Sequence, residues 1–82
     1  MLSLLMRKDS GTSPRGTLAR NVRRLRLESG MTQEELAAKA ATRQALVSAV
    51  EVETANPTLD SITRIAAALG VGIADLFGIS RK

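Results

Sequence analysis

Side chains equipped for bond-making chemistry are scarce in these 82 residues, which include no histidine, cysteine or tyrosine. The commonest general base, the thiolate nucleophile and the usual nitrogen and sulfur metal ligands are therefore missing. No carboxylates pair at helical spacing on an inward face, and there is no glycine-rich phosphate loop. These features argue against an enzyme, and neither a cofactor nor a metal is expected. Basic side chains are what the chain has in quantity, and most lie early. Residues 1–30 carry Arg7, Lys8, Arg15, Arg20, Arg23, Arg24 and Arg26 against Asp9 and Glu28, a local charge of +5, whereas residues 31–82 sum to −1. A positive front of this kind suits a polyanion. A solvated surface helix would give the same count, so charge alone leaves both readings open.

The elements that must carry these charges are short helices. MTQEELAAKAATRQALVSAVE, residues 31–51, reads as two helices joined by a tight turn. Thr32 is the expected N-cap of the first; Glu35 completes a capping box, and Met31 and Leu36 form a hydrophobic staple. Leu36, Ala37 and Ala40 keep one face apolar up to a turn near Ala41 and Thr42. A second helix from Arg43 or Gln44 turns Val47 and Val50 inward. Helices this short bury little alone and must lean on neighbours.

One neighbour is a helix expected from Thr17 to Ser29, with Leu18, Val22 and Leu25 facing inward, Arg20, Arg23 and Arg24 outward, and Gly30 as its left-handed C′ residue. Arg26 lies beside the apolar stripe, so it either snorkels out or has an acidic partner inside. After the loop VETANP, a fourth helix starts at Thr58 as N-cap, turns Leu59, Ile62, Ile65, Ala66 and Leu69 inward and ends at Gly70. A fifth, Ile73 to Phe77, carries Leu76 and Phe77. The aliphatic composition, 44% hydrophobic with a single Phe and no Trp, favours packed helices over sheets.

The expectation is one all-α domain over residues 17–79, behind a flexible basic arm at 1–16 and ahead of a tail at 80–82. MLSLLM is too short to span a bilayer and lacks the pattern of a secretory signal, so no membrane partner is expected. The lack of cysteine fits a reducing cytosol.

NVRRLRLESGMTQEELA, the apolar positions of the turn unit and NPTLDSITRIAAALGVGIADLF together resemble the lambda-repressor-like, Xre-type helix-turn-helix family, from Leu18 to Phe77 with no insertion needed. The resemblance implies that family's compact five-helix DNA-binding domain, with Ala37 where the paired helices cross closely. It also implies that the second helix of the pair, about residues 43–51, lies in the major groove with its first residues at base edges. Carried over position by position, the readers would be Arg43, Gln44, Ala45, Ser48 and Ala49. Gln44 suits adenine N6 and N7, Arg43 a guanine or a phosphate, and the alanines a thymine methyl. Leu46, beside them, would contact a methyl or pack within the protein. Gln33 and Asn56, at the approaches to helices two and four, would hold phosphates on two flanks, with Arg20 and Arg23 adding attraction. Arg26 would pair with Glu51 and tie helix one to helix three.

The implied function is a sequence-specific transcriptional regulator of the bacterial or phage cytoplasm, at the nucleoid, bound to double-stranded DNA. It would act as a homodimer on an inverted repeat. Ile73, Leu76, Phe77 and Ile79 are the candidate dimer surface, unless they close the monomer core. The alternative is a protein-interaction module, antitoxin-like or degenerate, that meets a protein partner through helix three. The chain departs from the family's usual pattern at three places. Ala41 stands where the turn usually has Gly, Arg43 where helix three usually has a Ser or Thr cap, and Val52 and Glu53 follow Glu51 where a Gly is usual.

Overall fold

The fold begins one turn earlier than Thr17. Ser13 is extended (φ −66°, ψ 152°) and its hydroxyl accepts the Gly16 N–H at 3.0 Å, while Pro14 takes the first helical position, where a missing N–H removes no helical hydrogen bond. The computed structural model describes residues 13–78, in the order α1 (Pro14–Glu28), α2 (Gln33–Lys39), α3 (Gln44–Glu51), α4 (Leu59–Leu69) and α5 (Ile73–Phe77). Pro14, Arg15 and Gly16, expected in the arm, are thus the first turn of α1. Arg7 and Lys8 at the front, and Ile79 and the tail at the end, lie outside the described residues.

Local signals account for most of the boundaries. Thr32 caps α2 in a complete capping box: its hydroxyl accepts the Glu35 N–H at 3.0 Å, and Glu35 Oε1 accepts the Thr32 N–H at 2.8 Å. Thr58 caps α4 through the Ser61 N–H. α3 is different: Arg43 stands at its N-cap and makes no side-chain capping bond.

The core is aliphatic. Leu18, Val22, Leu36, Ala37, Val47, Val50, Ile62, Ile65, Ala66, Leu69 and Leu76 pack into one cluster, with Met31 and Leu46 against its edge. α1 lies across α3 and α5, and α2 packs between α3 and α4. Two expectations change. Leu59 is 69% exposed instead of inward, because the buried arc of α4 is displaced toward Ala68 and leaves Leu59 beyond its edge. Leu76 is fully buried within the single chain, so it closes the core and is not a free dimer face.

Asn21, which hydropathy does not mark, joins α1 to the end of α5. Its side-chain NH2 donates to the carbonyls of Leu76 at 2.9 Å and Gly78 at 3.0 Å, with that of Asp75 at 3.4 Å. One buried side chain thereby occupies the carbonyls that a helix C-terminus leaves unpaired. No helix among the described residues is long and apolar enough to cross a membrane.

Candidate nucleic-acid interface

α3 presents its outward side as a row running from its first turn to its last residue. Arg43, Gln44 and Ala45 are exposed, whereas Ser48 and Ala49 are half-buried. Leu46 is half-buried against the core, so it packs within the protein. The polar side chains of this surface are not independent. Gln44 Nε2 donates to Gln33 Oε1 at 2.8 Å, and Gln33 Nε2 donates to Glu51 Oε1 at 3.1 Å. Glu51 in turn receives Arg26 through both prongs of the guanidinium, Nε to Oε2 at 2.7 Å and Nη2 to Oε1 at 3.0 Å. The third guanidinium nitrogen, Nη1, donates to the Met31 carbonyl at 2.9 Å. The chain of bonds thus passes from the start of α3, through the first residue of α2 and the end of α3, to α1 and the loop before α2.

Burial is confined to the inner end of this chain, since the Gln44–Gln33 bond is exposed. The Glu51 side chain is 1% exposed and that of Arg26 10%. Burial by itself pushes the Glu51 carboxyl up. The hydrogen bonds from Arg26 and Gln33 and the positive charges of Arg26 and Arg23 more than offset it, so the group sits below the usual glutamate range. The bidentate bond to Glu51 raises Arg26 further, against the opposing effect of burial. Both partners stay charged, and a fork-to-fork pair fixes orientation as well as distance.

The other expected contact residues fall in two places. Asn56 is apart from the glutamine chain. It lines an open groove of about 510 Å³ together with Arg15, Leu18, Glu53, Pro57 and Phe77. Arg20 lies near this groove: a Cβ added to Gly16 would come 3.7 Å from Arg20 Nη1 and 3.5 Å from Glu53 Oε1. Arg23 is exposed and close enough to Glu51 for its charge to be felt. Arg24 instead serves its own helix, 3.4 Å from Glu28 Oε2 and 3.3 Å from Asn21 Oδ1. Of the dimer candidates, Phe77 is 38% exposed and Ile73 half-buried.

Sequence reasoning missed three features that position this surface. The Ser13–Pro14 start was legible as a cap followed by Pro at the first helical position. Asn21 was legible only as a polar residue on the inner side of α1. The link from Gln33 to Glu51 spans 18 residues and had no local signal.

The geometry has known counterparts. The helix-turn-helix family HTH_3 matches residues 22–76. A hypothetical transcription factor of Neisseria meningitidis is 44% identical over 62 residues, which cover 76% of this chain and 58% of that protein. The uncharacterized HTH-type transcriptional regulator y4dJ of Sinorhizobium fredii is 41% identical over 56 residues, 68% of this chain and 73% of that one. The present chain therefore spans less than two thirds of the first relative's length. Among solved structures, the hypothetical transcription factor NHTF from Neisseria superposes with a TM-score of 0.78 at 38% identity, over 94% of this chain and 88% of that one. The restriction-modification controller protein C.AhdI from Aeromonas hydrophila gives 0.72 at 31% identity, over 74% and 92%. With the paired helices α2 and α3 in place, the chain belongs to the lambda-repressor-like, Xre-type helix-turn-helix family of transcriptional regulators.

Proposed function

We propose that this chain is a sequence-specific DNA-binding transcriptional regulator that reads its operator with α3 in the major groove. The observation that carries the reading is the bonded chain Gln44–Gln33–Glu51–Arg26, which holds an exposed amide at the start of α3 against two other helices. A base-reading side chain gains from being preorganised, because less conformational freedom is lost on binding. Gln44 meets a base edge, with Arg43, Ala45, Ser48 and Ala49 beside it. Gln33 and Asn56 contact phosphates on the two flanks, and Arg20 and Arg23 add long-range attraction. Five reading positions of which two are alanine give one copy little discrimination. Two copies on an inverted repeat, about 34 Å between half-site centres, supply the rest. Phe77, 38% exposed, and the half-buried Ile73 on the same helix are the described residues proposed to join them.

Selection of bound duplexes from a random pool tests this reading. A two-fold symmetric consensus is expected, with binding that weakens steeply as salt rises, because phosphate contacts release counterions. Failure to bind any duplex at low salt would overturn it. A protein complex through α3 that ignores salt would instead favour the protein-interaction reading, to which the apolar Ala45 and Ala49 are the pointer.

A further inference from the structure

The outermost row of α3 is almost entirely apolar. Ala45 is exposed, Ala49 is half-buried, and Val52, at the helix C-cap, is 62% exposed. The Val52 N–H still donates to the Ser48 carbonyl at 3.1 Å, so Val52 remains on the helical path. Val52 follows Ala45 by nearly two turns, which stacks it above Ala45 with Ala49 between them. The row is about 10 Å long, roughly the rise of three base pairs. Ser48 supplies the hydroxyl beside it and is half-buried. Beyond Arg43 and Gln44 at its start, α3 therefore has little with which to read donors and acceptors. Base edges in the major groove show one apolar group, the C5-methyl of thymine. Cytosine has a hydrogen there, and 5-methylcytosine carries the same methyl on the same carbon. Basic groups stand at both ends of the row, Arg43 at its start and Arg23 near Glu51 at its end. That charge suits a polyanion bearing methyl groups better than an apolar protein surface.

We propose that Ala45, Ala49 and Val52 form a reader of C5-methylated pyrimidines, which separates thymine and 5-methylcytosine from unmethylated cytosine. This rests on the reading of α3 as the helix that meets DNA. It adds Val52 to the reading residues and makes binding respond to cytosine methylation. The row meets the methyl alone, so it is indifferent to whether C4 carries the oxygen of thymine or the amino group of 5-methylcytosine.

The test removes and restores one methyl at a time in the consensus duplex obtained from the random pool. Each thymine is replaced singly by deoxyuridine and, in separate duplexes with guanine opposite, by cytosine or 5-methylcytosine. At the thymines beneath the row, deoxyuridine should weaken binding roughly threefold to fivefold, the worth of one buried methyl. At the same positions 5-methylcytosine should bind tighter than cytosine by a similar factor, roughly threefold to fivefold. Val52→Ala truncates an exposed side chain, so its melting curve should match that of the wild type. It should abolish the deoxyuridine effect at one thymine of each half-site and leave the others unchanged. A Val52→Ala loss spread equally over all duplexes overturns the role given to Val52. Half-sites without thymine, or deoxyuridine tolerated at every thymine, overturn this inference while the DNA-reading function stands. Wild-type protein that binds no duplex at low salt overturns both.

Discussion

Four helices of this molecule end in the same hydrogen-bonded wrap, but with different residues at its left-handed position. α1 closes with Met31 N–H to Arg26 O at 3.1 Å and Gly30 N–H to Leu27 O at 3.0 Å, and α4 with Val71 N–H to Ala66 O and Gly70 N–H to Ala67 O, both at 3.0 Å. The left-handed residues there are glycines, Gly30 at φ 72° and Gly70 at φ 77°. α2 repeats the pattern through Thr42 and Ala37, and α3 through Thr54 and Ala49, but the left-handed residues are Ala41 at φ 55° and Glu53 at φ 66°. A residue with a Cβ is disfavoured in this region by roughly 1–2 kcal/mol. The helices α1 and α4 thus end without strain, whereas the paired helices α2 and α3 each end on a strained residue. α3 also lacks a side-chain cap at its start. Local preference therefore does little to define α3, and its position depends on Val47, Val50 and the buried Glu51, all held by other helices.

If that contrast is right, the largest loss should come from removing the tertiary tie. Arg26→Ala leaves Glu51 buried without its cation and should cost about 3–5 kcal/mol. At the several degrees per kcal/mol typical of a domain this size, the melting curve should fall well below that of the wild type. An unchanged curve would mean that α3 is held by something other than this pair.

Next in size are the frame ends. Gly30→Ala and Gly70→Ala should each lose about 1–2 kcal/mol in urea unfolding. A Cβ at either position meets nothing within 4 Å, so the cost is conformational and not steric crowding by neighbours.

The opposite substitutions sharpen the comparison. Ala41→Gly should gain up to about 1 kcal/mol by relieving the left-handed strain. Glu53→Gly should gain less, because its carboxylate lies beside the first turn of α1, near Arg20. Equal gains at the two sites would show that the Glu53 carboxylate contributes nothing there.

The mildest perturbation is acid. A carboxyl held lower in the folded than in the unfolded chain binds fewer protons when folded. Its stabilisation is complete above the unfolded pKa and is lost as pH falls through the folded one. One such group changes stability by at most about 1.4 kcal/mol per pH unit. Urea midpoints from neutral pH into the acid range should decline more steeply in the wild type than in Glu51→Gln. Parallel declines would remove Glu51 from the acid response.

Much of this molecule was legible in its residues because the signals act within a turn or two of chain. Thr32 with Glu35, Thr58, and the glycines at 30 and 70 each define a helix end by contacts at most five residues apart. The inward sides of α1, α2 and α3 follow from helical periodicity, which needs no knowledge of what covers them. Leu59 shows where periodicity stops being sufficient: it fits the helical repeat, yet the neighbours of α4 end short of it.

The sequence by itself determined five helices, their aliphatic core and a surface able to meet a polyanion, since these depend on composition and on spacing along the chain. Only the tertiary structure decided that Leu76 belongs to the core and that Asn21 closes α5. It alone decided that Gln44, Gln33, Glu51 and Arg26 form one directed chain of bonds. The members of that chain lie up to 25 residues apart in sequence, and only packing of the helices brings them within reach of one another.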